Sequence, residues 1–360
     1  MKLRHLVLVL AAISQPASVW SQPANPAPAV VAPAPGALMK EQTVAEPKAF
    51  DNLTIFPILA KKDVDVGPMT TLADALAKGK AEVREVGGNG AGAQVNTLVI
   101  QNKGDVPIYV LAGTVVKGGN QDRQIGQDFI IDSKQTTPID AFCVEHGRWT
   151  GSRDGRATGG KFGVTQELVT SGVRAAGQYK KDQSEVWAKV EQVNAAHHKA
   201  AASGTLFATL DDAEVQKKRS ALSEKVNGFL ASTQPRESVV GFAVAIDGKV
   251  KGARWFASHK VFELFRAQLV NGAAVDALTT QAQRRGAPPA PAAPLKPESV
   301  VSFVDDVEKV QVAQERDTAG ANANEYKESS KAYGSKTMRK PSPAQPSAPR
   351  VPISSDYLVK

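Results

Sequence analysis

The densest group of chemically capable side chains is the run Phe142-Cys143-Val144-Glu145-His146-Gly147-Arg148-Trp149. A thiol, a carboxylate, an imidazole, a guanidinium and an indole follow one another there. Arg148 carries a planar fork suited to a phosphate or carboxylate, and Trp149 offers a face for ring stacking. A Cys143 thiolate beside His146 and arginines would be activated, and Glu145 has general-base potential. A second run, Lys117-Gly118-Gly119-Asn120-Gln121-Asp122-Arg123, follows an apolar segment. Its glycines permit positive φ and let backbone N–H groups converge on an anion, while Gln121 and Arg123 supply directed donors.

These runs give a candidate ligand-binding set of Gly118, Gly119, Gln121, Arg123, His146, Arg148 and Trp149, aimed at an anionic small molecule. No catalytic residue is assigned, and Glu145, Asp122 and Cys143 are the candidates. Each feature also has a plain structural reading. A Gly-Gly turn between strands is more often only a turn. Strand alternation puts Cys143 and Glu145 on one face and Phe142 and Val144 on the other, so Cys143 also reads as an inert, buried thiol. The loop 150–163 adds Arg153, Arg156 and Lys161, as a basic flap or, the favoured reading, a surface excursion. Residues 87–92 (GGNGAG) lack the lysine and following helix of a phosphate loop and read as a hairpin turn.

The elements that must position these groups fall into three blocks. Strands are expected at 53–60, 81–86, 94–101, 107–116, 125–132 and 137–144, with a short helix at 71–78. From residue 165 the period becomes helical, with helices at 166–176, 184–201 and a third carrying Val215, Leu222, Val226 and Phe229. Strands return at 238–246 and 249–256 around Asp247-Gly248, a pair favoured in tight hairpins, and Ser258 caps a further helix. The tail is expected to hold strands at 300–314 and around Tyr357, with a disordered Pro/Ser-rich stretch at 341–352. The fold class is α+β, a mostly antiparallel sheet from the first half and the late hairpin packed with a central helical block. Two smaller domains are the alternative.

The chain opens with a basic n-region, an apolar run from Leu6 to Ile13 and a cleavage region ending at Ser21. This is the pattern of a secretory signal peptide, and the apolar run is too short to span a bilayer as a helix. The expected organisation is a signal peptide at 1–21, a Pro/Ala-rich tether at 22–51, the α+β domain at 52–285, a Pro/Ala linker at 286–297 and C-terminal strands at 298–360. No transmembrane anchor remains after cleavage, and the expected location is periplasmic or secreted. Loss of Lys2 and Arg4 leaves 42 basic against 36 acidic residues. The basic residues are scattered and no nucleic-acid motif appears, which argues against nucleic acid as a partner. One cysteine excludes an intramolecular disulfide, and five histidines without helical pairing give no metal site. No cofactor is implied: no G-x-S-x-G elbow, HExxH helix or Rossmann fingerprint is present.

Taken in order, Asn52-Leu53-Thr54 to Pro57, GGNQDR, FCVEHGRW, the helix start Asp182-Gln183-Ser184-Glu185-Val186-Trp187 and the hairpin VVGFAVAIDGKVKGARWF resemble one family. It is the first type of ADP-ribosylglycohydrolase and rhodanese-phosphatase associated protein domain. The resemblance covers roughly residues 52–278 and implies at most a nucleotide-like anionic ligand connected with ADP-ribose or NAD products. It carries over no catalytic residue, and a signal peptide separates this chain from cytoplasmic NAD pools. Two functions follow: a small-ligand site, enzymatic or not, or a non-catalytic envelope interaction module whose arginines form structural ion pairs with internal carboxylates.

Overall fold

The computed structural model describes residues 41–86, 96–153, 156–284, 287, 295–342 and 344–360. The signal segment, most of the tether, the run 87–92 and most of the 286–297 linker lie outside the described residues. The described residues belong to one unit.

The larger sheet is antiparallel, in the order Gln42–Val44, Leu53–Ala60, Val239–Ile246, Lys249–Phe256, Val351–Val359, Ala332–Arg339, Asn322–Glu328 and Gln314–Asp317. Lys48–Phe50 also pairs with Leu53–Ala60. The late hairpin therefore joins the first long strand, as expected. Its turn has Asp247 at φ 50° and Gly248 at φ 69°, the left-handed pair that matches strand twist. Alternation gives this sheet two apolar faces. Phe242 and Phe256 meet Phe262, Phe265 and Leu269 of the helix His259–Gln283, which Ser258 caps through its side chain. On the opposite face Phe56, Val240 and Trp255 pack with Val300, Val304 and Val307 of the helix Pro297–Glu308.

A second, six-stranded sheet runs Phe162–Leu168, Thr114–Gly118, Arg123–Ile125, Thr136–Cys143, Thr97–Asn102, Ala81–Glu85. It carries both candidate runs. The helical block follows: Ser171–Ala175 passes into a wide turn, Ala176–Lys180, and then come Gln183–Ala196, Phe207–Leu210 and Ala213–Ser232. Asp182 and Asp212 cap the two longer helices, each accepting backbone N–H groups of the first turn.

Several expected boundaries move. The segment 300–314 is not a strand: Val300, Val304 and Val307 have helical spacing, and Pro297 sits in the first turn, where its missing N–H costs nothing. The expected helix at 166–176 begins only at Ser171, because the preceding residues extend the strand Phe162–Leu168 along Thr114–Gly118. The helix expected to reach 201 ends at Ala196, and His198 turns left-handed at φ 54°. The run 107–116 divides at Gly113, φ 84°, into Ile108–Val110 and Thr114–Gly118. The run 125–132 divides as well, because Asp128 turns inward to accept from Tyr109, Ala112 and Arg254. Ordered structure also precedes residue 52, in the strands Gln42–Val44 and Lys48–Phe50. Among the described residues of the stretch 341–352, the Gln345 N–H donates to the Ser342 carbonyl and the Ala348 N–H to the Gln345 carbonyl, ahead of the strand Val351–Val359.

Candidate functional site

Adjacent strands bring the two runs together. Arg123–Ile125 pairs with Thr136–Cys143 in a register that places Cys143 opposite Arg123. Neighbouring residues in register share a face, so the thiol and the guanidinium project to the same side. Phe142 and Val144 project to the other side, into an apolar cluster with Val173, Val186 and Val190. Cys143 is fully buried, yet its surroundings are polar. Its backbone N–H donates to Gln183 Oε1 at 2.8 Å and its carbonyl accepts from Gln183 Nε2 at 2.9 Å, which ties the strand end to the helix Gln183–Ala196.

The Gly118-Gly119 turn is held by carboxylates. Gly118 (φ 142°) donates its N–H to Asp122 Oδ1 at 2.9 Å. Asn120 donates its N–H to Glu85 Oε1 at 2.8 Å and its amide to Glu85 Oε2 at 2.6 Å. Asp122 N–H donates to Glu145 Oε2 at 3.1 Å, and the Thr205 hydroxyl donates to Asp122 Oδ2 at 3.1 Å. The turn admits only glycine. A Cβ on Gly118 would lie 2.2 Å from the Lys161 carbonyl oxygen, and one on Gly119 (φ 50°) 2.1 Å from the Phe162 ring. Its N–H groups thus face internal acceptors.

Arg148 clasps the turn from the loop that follows Thr136–Cys143. Its Nε donates to Glu145 Oε2 at 3.0 Å, Nη2 lies 2.8 Å from the same oxygen, and Nη1 donates to the carbonyls of Gly119 and Thr150 at 2.9 Å. Thr158 Oγ1 donates to Gly119 O at 3.1 Å, so the loop after Trp149 also folds back onto this turn. Burial pushes the Glu145 carboxyl up, but Arg148, the Ser203 hydroxyl and the Asp122 N–H outweigh it and leave its pKa below the ordinary value.

Arg123 is held differently. It is 1% exposed, its Nη1 reaches Gln121 Oε1 at 3.3 Å, and its Nη2 is 3.9 Å from Glu85. Its Nε finds no acceptor among the described residues. The Trp149 ring, 41% exposed, covers it with the guanidinium carbon 5.4 Å from the ring centroid. Burial pushes the Cys143 thiol up while Arg123 pulls it down, with the net shift upward. The thiol is therefore held protonated, not activated, in this arrangement.

His146 is exposed, with its ring edge-on to Trp187 at 4.3 Å, and its carbonyl accepts from Gln121 Nε2 at 3.3 Å. The structure thus gathers every sequence-derived candidate, with His146 and Trp149 at the surface and Asp122, Arg123, Cys143 and Glu145 beneath. Of the loop cations, Arg156 and Lys161 are exposed, and the Arg153 side chain lies outside the described residues. Two members were missed, Glu85 and Gln183. Glu85 was detectable: Ala81, Val83 and Glu85 alternate on the buried face of their strand, so a carboxylate stands where the pattern demands an apolar residue. Among the described residues, no group of three or more His, Cys, Asp or Glu could hold a metal ion.

The molecule is a mixed, chiefly antiparallel protein whose glycine turn and Trp-bearing loop are joined through buried carboxylates and guanidinium groups. The sequence profile of the ARG and Rhodanese-Phosphatase-superfamily-associated Protein domain, ARPP-1, matches residues 41–346, and the chain belongs to this family. No match was found among curated proteins or among solved structures.

Proposed function

We propose that this is an exported ARPP-1 protein that binds a small anionic, ring-bearing ligand of the ADP-ribose type at Arg123, with Trp149 moving aside to stack on the ring. The observation that carries the reading is Arg123 itself: a buried guanidinium whose Nε has no partner among the described residues, under a partly exposed indole. A buried donor without an acceptor costs roughly 1–3 kcal/mol, a penalty that ligand binding would relieve. The family name, which links the domain to ADP-ribosylglycohydrolases, supports the ligand class. Arg148 takes the role of loop clasp, because Glu145 and two carbonyls engage its donors. The N-terminal signal pattern supports export. Among the described residues no helix is long and apolar enough to cross a membrane.

The test is thermal denaturation of the mature protein with ADP-ribose, AMP and ribose 5-phosphate. A rise in Tm that disappears in Arg123→Lys and Trp149→Ala supports the proposal, and a flat response to all three probes defeats it. Cleavage after Ser21 in the exported product is read by mass spectrometry of its N-terminus.

A second reading is favoured by a separate observation. Three carboxylates, Glu85, Asp122 and Glu145, surround two guanidinium groups, and Arg148 is engaged internally. That balance fits an architectural node that presents His146 and Trp149 to an envelope protein. In this case Trp149→Ala abolishes binding to that partner without any small-molecule response in the parent protein.

A further inference from the structure

A different buried arginine marks a second site. Arg254 lies on the inner face of the larger sheet, in register with Asp356 on one side and Phe242 on the other. It is 5% exposed, and its Nη2 pairs with Asp128. Neither Nε nor Nη1 meets an acceptor among the described residues. Asp128 is saturated by other donors, from Tyr109, Ala112 and Thr337, so it cannot turn to satisfy them. Arg254 lines a cavity of about 80 Å³, together with Arg174, Asp356, Lys251, Ser171 and Asp276. The rest of its wall is apolar, including Leu168, Phe242, Val244, Leu269 and Leu358.

That volume is roughly three times a water's share of the liquid, about 30 Å³ each. Ser171, Lys251 and Asp276 also line a larger adjoining cavity of about 340 Å³, edged by Lys180, Lys189 and Lys360. Two of these edge lysines have carboxylate partners, Lys180 with Glu185 and Lys360 with Glu328. Among the described residues Lys189 reaches only Gln192, at 3.4 Å. Within the small cavity Arg174 pairs with Asp356, and Asp276 accepts the Ser171 N–H and hydroxyl. Burial pushes the Asp276 carboxyl up, the direction that reduces negative charge in the cavity.

We propose that this cavity binds a short-chain monocarboxylate, with its carboxylate at Arg254 and Arg174 and its alkyl part against Phe242, Leu269 and Leu358. A single small anionic head satisfies donors that the fold leaves open, and the apolar wall takes the tail without desolvating further polar groups. A phosphate ester fits less well, because its additional oxygens would face aliphatic walls. The cavity shares no residue with the Arg123 node, so its test stands apart from the proposal made there.

The probes are acetate, butyrate, butyramide, 1-butanol and inorganic phosphate, read by calorimetric titration and by Tm. The expected result is a saturable butyrate response, with butyrate tighter than acetate and with butyramide, 1-butanol and phosphate inactive. Arg254→Gln strands Asp128 and endangers the fold, so two other variants carry the test. Ala273→Leu fills the cavity without touching an ion pair and abolishes the response, and Lys251→Gln weakens it several-fold; far-UV circular dichroism checks both folds. Arg123→Lys leaves it unchanged. No butyrate binding, an equal response to butyramide, or undiminished binding by a folded Ala273→Leu overturns the proposal.

Discussion

Cys143 and Arg123 stand opposite each other on paired strands, and the Trp149 ring closes the space above the guanidinium. Burial raises the thiol pKa and Arg123 lowers it. Admitting water would weaken the first effect and leave the attraction of a cation one strand away. Trp149→Ala is therefore expected to accelerate labelling of Cys143 by a thiol reagent, through readier access and a larger thiolate fraction. Labelling rates under native conditions measure this, and unchanged rates would mean that Trp149 does not control access.

Arg123→Met tests whether that guanidinium serves the fold. Breaking a close buried ion pair by removing one partner costs about 3–5 kcal/mol, but Arg123 stands 3.9 Å from Glu85, which keeps two Asn120 donors, so the loss here should be well below that. The expected outcome is a small change in the urea midpoint of Arg123→Met together with loss of the ADP-ribose response. A large loss of stability would instead favour the architectural reading.

The glycine turn gives a graded comparison. Gly159 has φ 60° with nothing within 4 Å of an added Cβ, whereas Gly119 has φ 50° and a ring atom at 2.1 Å. Gly159→Ala should cost about 1 kcal/mol from left-handed strain alone. Gly119→Ala adds overpacking and should cost about 3 kcal/mol or more. Equilibrium denaturation of the pair measures the difference.

Much of this arrangement is legible in the sequence, for identifiable reasons. Alternation alone set Cys143 and Glu145 apart from Phe142 and Val144, and the clusters bear that division out. The hairpin at Asp247-Gly248 and the Ser258 cap followed from local backbone preferences that hold regardless of tertiary context. What sequence could not give was hydrogen-bond satisfaction. Whether Arg148 faces a ligand or Glu145 depends on residues brought together by the sheet, and Glu85 lies far upstream of the turn it secures. Helix and strand are hard to separate at 300–314, where valines suit either state and only the spacing of Val300, Val304 and Val307 marks the helix. Arg254, within the hairpin strand Lys249–Phe256, is a signal of the same kind as Glu85, a charge where the pattern demands an apolar residue.

Acid should weaken the fold through Glu145. Burial raises its pKa, and Arg148, Ser203 and the Asp122 N–H lower it by more, so the folded value lies beneath the unfolded one, which is about 4.3. The unfolded chain then takes up the proton first as pH falls. The stabilisation is complete above the unfolded value and is lost as pH drops through the folded value. Asp128, raised by burial but lowered further by Arg254 and the Ala112 N–H, acts in the same direction. Urea midpoints should be flat above about pH 5 and fall below about pH 4, with a shallower fall in Glu145→Gln. Arg148→Ala, which strands buried Glu145, should cost about 3 kcal/mol at neutral pH. A Glu145→Gln profile that superimposes on the parent would remove Glu145 from this account.

The last strand is expected to be indispensable even though the family match ends at residue 346. Val351–Val359 lies between Lys249–Phe256 and Ala332–Arg339, so its loss opens two ladders in the larger sheet. Ile353, Tyr357 and Leu358 are buried, and Tyr357 stacks on Trp255 with ring centroids 5.1 Å apart. Burial of side chains this size contributes roughly 2 kcal/mol each, a large share of a folding margin of about 5–15 kcal/mol. The deletion also removes Asp356, the partner of Arg174, and Ser354, which lies 2.7 Å from the Tyr109 hydroxyl in the core. A chain ending at residue 346 should therefore lose its cooperative thermal transition and bind a hydrophobic dye. A sharp transition within a few degrees of the full-length protein would show that the sheet closes without this strand.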